Sequence, residues 1–153
     1  MGGEFETIHH TQLIQQLLKE GKVSVKSGTF DTVTFHDSCY IGRYNGIYEE
    51  PREVLKAVSK DSSFVELPRN REKGFCCGAG GGRMWLEEKT GSRINENRAQ
   101  EVVNSNAKTV GVGCPFCMTM MSDGLKAHDR TDIRVMDVAE MVSEAMIEGE
   151  VKS

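Results

Sequence analysis

Thirty-six residues, 40–75, separate Cys39 from Cys76, and another thirty-six, 78–113, separate Cys77 from Cys114. Each interval holds about one strand–helix unit, so the chain comes back to a cysteine each time it completes such a unit. In a parallel open sheet every strand delivers its carboxyl end to the same edge, and ligands bind at that edge. The spacing therefore predicts that thiols distant in sequence meet at one place.

Hydrophobic periodicity supplies the elements. Residues 11–20 carry Leu13, Ile14, Leu17 and Leu18 at helical spacing, with Thr11 as the expected N-cap and Gly21 just past the end. Residues 33–36 read as a strand running into Asp37, Ser38 and Cys39. Pro51 suits the opening of a helix through residue 59, with Val54, Leu55 and Val58 as its apolar face. A second strand, 64–67, is stopped by Pro68, and a glycine-rich loop follows at 76–82. A helix is predicted over 91–105, with Ile94, Ala99, Val102 and Val103 inward, and a strand over 109–113. Cys114 follows at once, and Pro115 fits the first position of a helix to about residue 126 that buries Met118, Met121 and Leu125. A fourth strand, 133–136, leads to a helix opened by Asp137 and Glu140 as a capping box, with Val138, Met141, Val142 and Ala145 as its stripe. Strands alternating with helices predict an α/β fold: an open parallel sheet of about four strands with helices on both faces.

The five cysteines carry the chemistry. An odd number in a chain without a secretion signal argues against a disulfide framework. Cys114 and Cys117 stand about one turn apart at a helix start, where unpaired N–H groups and the helix dipole favour thiolate. That spacing suits a metal site and a redox dithiol equally; the other three cysteines tip it toward metal. Adjacent Cys76 and Cys77 rarely aim at one small ion without strain, whereas a larger cluster accepts both. A tetrahedral zinc needs only four ligands, and a cubane iron–sulfur site usually draws on closely spaced triplets that this sequence lacks. Two readings stay open: a larger or non-standard iron–sulfur cluster on Cys39, Cys76, Cys77, Cys114 and Cys117, or a zinc site with one cysteine to spare. Either places the metal at the carboxyl ends of the strands. Ordinary buried cysteines are the bland alternative, and glycine- and proline-bounded loops speak against it.

Composition narrows the rest. The chain has 153 residues, 38% hydrophobic and 27% charged, enough for one domain whose core needs no metal. A net charge of -4 with interspersed signs leaves no footprint for nucleic acid. The apolar runs are far short of the roughly 20 residues of a membrane span, so no membrane insertion of this segment and a cytoplasmic location are expected.

Around the cysteines, Gly78, Gly80, Gly81 and Gly82 let the backbone approach a cluster and aim N–H groups at it, or form a plain turn. Arg83 either offsets cluster charge or makes a surface ion pair. His36, beside Asp37, is a proton relay or, preferred here, a hydrogen-bonded residue that holds the first loop. His9, His10 and His128 read as solvated or capping residues, and Met118, Met120 and Met121 as core fillers. Trp85 reads as a core anchor by default, with shielding of the site as the alternative.

These residues carry a family resemblance. Cys39, then Cys76-Cys77-Gly78, then Cys114-x-x-Cys117 resembles the cysteine-rich CCG domain of heterodisulfide reductase catalytic subunits and of the glycolate oxidase iron–sulfur subunit. Residues 36–43, 78–83 and 114–118 extend the likeness. The resemblance covers about residues 30 to 147, which divides the chain into a helical lead-in at 1–30, the CCG domain at 31–147 and a polar tail at 148–153; by their place in the chain, the lead-in and the tail are expected to be loosely held. It implies a C-terminal copy of the domain in a larger iron–sulfur oxidoreductase, and a non-cubane [4Fe-4S] cluster serving electron transfer or disulfide reduction. A structural zinc module without redox chemistry is the alternative. It further implies, as partners, a second CCG domain, a ferredoxin-like domain, and a flavoprotein or a membrane quinone or haem subunit, which would place the chain at the cytoplasmic face of a membrane complex.

Overall fold

A computed structural model of the chain describes residues 2–61, 63–87 and 91–147; the polar tail, 148–153, lies outside them. Among the described residues, β1 (Val33–Phe35), β2 (Phe64–Val65), β3 (Thr109–Val112) and β4 (Arg134–Asp137) form one sheet in the order β2-β1-β3-β4. Every neighbouring pair is parallel, with Val33 opposite both Phe64 and Thr109, and Val112 opposite Asp137. Five helices cover it: α1 (His10–Lys19), α2 (Glu49–Val58), α3 (Ile94–Ser105), α4 (Pro115–Ala127) and α5 (Val138–Ala145).

Successive side chains of a strand point to opposite faces, which divides the core in two. Val33 and Phe35 pack with Val54, Leu55 and Val58 of α2 and the α5 stripe, and α1 adds Ile14 and Leu18. Val110 and Val112 face the other way, toward Ala99 and Val102 of α3 and Met120, Met121 and Leu125 of α4. The expected open parallel sheet with helices on both faces is therefore present. No helix among the described residues is long and apolar enough to cross a membrane.

Element ends differ from expectation for local reasons. The N-cap of α1 is His9, not Thr11: the His9 ring accepts from the Thr11 N–H, and Gln12 accepts from the His9 N–H at 3.0 Å. Thr11 is buried instead. Helix α2 begins at Glu49, where two glutamates suit the positive end of the helix dipole, and Pro51 still falls in its first turn. Helix α3 starts at Ile94 because Arg93, its N-cap, is extended at φ −62°, ψ 143°, and Gly91 just before it has φ +73°. The lead-in is also better tied than expected. Lys26 N–H donates to the Ala145 carbonyl at 2.8 Å and Ile147 N–H to Ser24 at 3.1 Å, so it pairs with the end of α5.

Candidate metal centre

Chain direction across the sheet reverses between β1 and β3, and such a switch point opens a crevice at the carboxyl ends of the strands. Cys39 follows β1, and Cys114 follows β3 as the N-cap residue of α4. Cys76 and Cys77 return to the same edge after β2 and a short 3-10 turn, Arg71–Lys73. All five cysteines are free thiols, and all five line a single cavity of about 320 Å³. Cys117 and Cys77 are buried, their sulfurs 3.4 Å apart.

One buried ion network and one exposed hydrogen bond fix the loops that carry them. Asp37 binds both terminal nitrogens of Arg52, at 2.8 and 2.9 Å, and accepts the Arg71 N–H at 2.8 Å. The end of β1 is thus fastened both to α2 and to the segment that leads into Cys76. Glu66 completes the group by accepting from Arg52 Nε at 2.7 Å. Burial opposes the Arg52 charge, but the bonds from Asp37 and Glu66 outweigh it and raise its pKa. Arg43 of the first loop donates to the Gly74 carbonyl at 2.9 Å, tying the Cys39 loop to the Cys76 loop a second time.

The sulfurs of Cys76, Cys77, Cys114 and Cys117 form one proton-sharing set. Hydrogen bonds from Cys117 and Cys76, with further ones from His36 and the Ala79 N–H, draw Cys77 far below the usual thiol range. Cys76 is pushed up by its bond to Cys77 and by burial. Cys114 is lowered to about 6, chiefly by Cys117 and then by the Cys117 and Phe116 N–H groups at the start of α4. The helix start thus favours thiolate at Cys114 as expected, but not at Cys117. Cys117 is raised by its bonds to Cys114 and Cys77 and by burial, against which the buried Ser38 hydroxyl favours its thiolate.

Two residues here were outside the sequence reading. Arg98 of α3 is 0% exposed, and its Nε donates to His36 Nδ1 at 3.1 Å. Its Nη1 donates to the Arg69 carbonyl at 2.8 Å and to Glu101. Asn95, one turn before it on the same buried face, donates to the Met120 carbonyl at 3.2 Å. Polar residues at core positions of a helix carry no periodicity signal, and the apolar pattern of α3 passes over both. His36 is buried, and burial holds its pKa below the usual value. It is a hydrogen-bonded residue at the first loop, and it also groups with Cys77 and Cys117: one ligand-type atom from each lies within 4.8 Å of the others.

Other expected residues fall as follows. Gly78 is buried at φ +90°, and a Cβ there would stand 3.0 Å from that of Ile94, so only glycine lets the chain turn beside Cys77. Its N–H donates to Cys76 Sγ at 3.3 Å. The segment Gly80–Trp85 is a 3-10 turn, not an open loop, kinked where Gly81 and Gly82 are left-handed. Gly80 and Gly81 line the cavity; Arg83, in the same turn, is exposed and does not. Trp85 is 80% exposed at the cavity and is not a core anchor. His9 and His128 hydrogen-bond backbone carbonyls, Met120 and Met121 are core, and Met118 is half-buried.

A family model described as "CCG: Cysteine-rich domain" matches residues 33–122. The chain is 45% identical, over 99% of its length and 21% of the relative's, to "Probable iron-sulfur-binding oxidoreductase FadF" of Bacillus subtilis. It is 44% identical, over 95% of its length and 21% of the relative's, to "EtfAB:quinone oxidoreductase" of Syntrophomonas wolfei. Against one subunit of the dihydromethanophenazine:CoB--CoM heterodisulfide reductase of Methanosarcina barkeri, identity is 37% over 93% of this chain and 34% of that one. The chain spans about a fifth to a third of the length of these curated relatives. The match to the family model takes in all five cysteines of the cavity, and the chain belongs to the cysteine-rich CCG domain family.

Proposed function

We propose that Cys39, Cys76, Cys77, Cys114 and Cys117 together hold a non-cubane [4Fe-4S] cluster, and that the chain is the iron–sulfur domain of a larger oxidoreductase. The observation that carries this reading is the single cavity of about 320 Å³ that all five cysteines line. That is many times the roughly 10–15 Å³ that one water molecule needs on the same measure, room for a group of several atoms. The donor set fits as well, since soft thiolates select iron–sulfur groups, zinc or Cu(I). One zinc would leave a cysteine over, and both members of the adjacent pair line the cavity.

When bound, such a cluster supplies one-electron chemistry, which serves either to relay electrons or to reduce a disulfide. The chain's own residues hold, balance and shelter it. The Gly78 and Ala79 N–H groups, which already donate to Cys76 and Cys77, offset thiolate charge. Gly80 and Gly81 keep the rim free of side chains, and Arg83 adds a positive charge on the same turn. Trp85 and Phe116 line the opening with apolar surface that limits water. In the larger protein the partners would be a second CCG domain, a ferredoxin-like domain, and a flavoprotein or a membrane quinone or haem subunit, with the chain at the cytoplasmic face.

Anaerobic purification followed by iron, sulfide and zinc analysis and electron paramagnetic resonance tests this. Brown protein with equal iron and sulfide and a signal on reduction or oxidation is expected. Colourless protein with stoichiometric zinc would replace the cluster with a structural module.

A further inference from the structure

We propose that Arg98 locks His36 as the neutral ring protonated on Nε2, and that this N–H donates to the Cys77 sulfur, making His36 a positioning residue that raises the cluster's reduction potential and not one of its ligands. The redox half of this rests on the cluster reading above; the tautomer half does not.

By distance alone His36 qualifies as a ligand, because it shares a 4.8 Å neighbourhood with Cys77 and Cys117. Its hydrogen bonding says otherwise. A guanidinium has only donors, so the Nδ1 that receives Arg98 Nε at 3.1 Å must present its lone pair. A neutral ring then carries its one proton on Nε2, the nitrogen left to face the sulfur. A histidine that binds metal does the reverse: it gives one lone pair to the metal and donates its other N–H outward to a carboxylate or carbonyl. Here the outward partner is a donor, and coordination through Nε2 would leave the ring with no proton on either nitrogen.

Arg98 cannot step aside. Its side chain is 0% exposed, and Nη1 is held by Glu101 and by the Arg69 carbonyl at 2.8 Å. The positioned N–H has a direct electrostatic effect, because hydrogen bonds to the sulfurs are among the levers that set cluster potentials. A donor favours the more negative, reduced state, so removing it lowers the potential.

Two measurements test the proposal. In the metal-free chain, long-range proton–nitrogen correlation spectra should show His36 with a bare Nδ1 and a protonated Nε2; a proton on Nδ1 would overturn the lock. In the iron-loaded chain, His36→Leu should keep its iron, lower the midpoint about tenfold in the one-electron equilibrium, about 59 mV, and alter the resonance spectrum. His36→Gln, which restores an N–H near the Nε2 position, should recover most of that shift. Should His36→Leu fail to fold, Arg98→Met carries the same expectation of retained iron and lowered potential. Iron loss in the folded variants beside a loaded wild type would make His36 a ligand and sink the inference, as would an unmoved potential. Wild-type protein that takes up no iron would instead strike the proposed function and the tuning role with it, while the tautomer stands or falls on the metal-free spectrum.

Discussion

Cys117 and Cys77 bring their sulfurs to 3.4 Å across forty positions of sequence, one thiol from the first turn of α4 and the other from the loop after β2. Contact at that distance between a helix and a loop means that a change at either thiol is felt by the other. Cys77→Ser and Cys117→Ser should each cut bound iron substantially in anaerobically prepared protein and change the spectrum of any cluster that remains. The adjacent pair gives the sharper test. A four-ligand site would spare either Cys76 or Cys77, so full iron loading with an unaltered spectrum in Cys76→Ser or Cys77→Ser would refute five-cysteine ligation.

Cys114 should be the reactive thiol of the reduced, metal-free chain. With its pKa lowered to about 6 by Cys117 and the N–H groups at the start of α4, it is largely thiolate at neutral pH, where an ordinary thiol is not. Its alkylation rate, followed by mass spectrometry of the modified peptide, should rise through pH 6 and level off by about pH 7, roughly one unit above that pKa. A rate still rising steeply near pH 8.5 would mean that α4 does not stabilise the anion.

The sheet, its helices and the meeting of five cysteines were legible because each rests on a repeating or local signal. Val138, Met141, Val142 and Ala145 form a stripe of one period, and all four are buried. Cysteines at strand ends converge wherever strands are parallel. What stayed hidden was polar. Arg52 and Arg98 stand outside every apolar pattern, yet both are fully buried, because their partners Asp37 and His36 lie just past β1. Nothing local marks such a pair. Trp85 misled for the opposite reason: burial is the usual fate of its type, and here it borders the cavity.

Asp37 and Arg52 should be strongly interdependent. Asp37→Ala leaves a buried guanidinium with only Glu66 and the Tyr48 carbonyl as partners, and stranding one member of a buried pair costs about 3 kcal/mol or more. Denaturant unfolding of the metal-free chain should show that loss, and Asp37→Asn combined with Arg52→Met should lose distinctly less than Asp37→Ala. Equal losses would mean that Glu66 and the Tyr48 carbonyl satisfy the arginine without Asp37.

The start of α1 should make the fold acid-sensitive near neutrality. Burial, with His10 beside it, holds His9 below its ordinary pKa of 6.5. Its unprotonated Nδ1 caps the helix, while Nε2 bonds the Gly113 carbonyl at 3.2 Å. A group with a depressed folded pKa contributes stability that is complete above the unfolded value and is lost as pH falls through the folded one. The melting temperature of the metal-free chain should therefore fall below about pH 6.5, the unperturbed histidine value. His9→Ser, which can cap without titrating, should flatten that fall; an unchanged slope would assign it to other groups.

Gly124 links helix packing to the site. An added Cβ would stand 2.6 Å from the Asn95 carbonyl oxygen and 3.0 Å from the Ala99 Cβ, so α3 and α4 meet there almost backbone to backbone. Two effects oppose in Gly124→Ala. Helix propensity favours alanine by about 1 kcal/mol, while overpacking a tight contact costs about 1–3 kcal/mol. The clash should win, because the obstacle is backbone of α3 and not the free end of a side chain. Helix α3 must then move outward and carry Arg98 with it, since that residue lies within one turn of Asn95 on the same helix. The expected result is a lowered melting temperature together with a shifted His36 nitrogen resonance in the metal-free chain, and iron binding retained because no cysteine is touched. A raised melting temperature would show that α3 yields readily and that the Arg98–His36 contact does not depend on this helix pair.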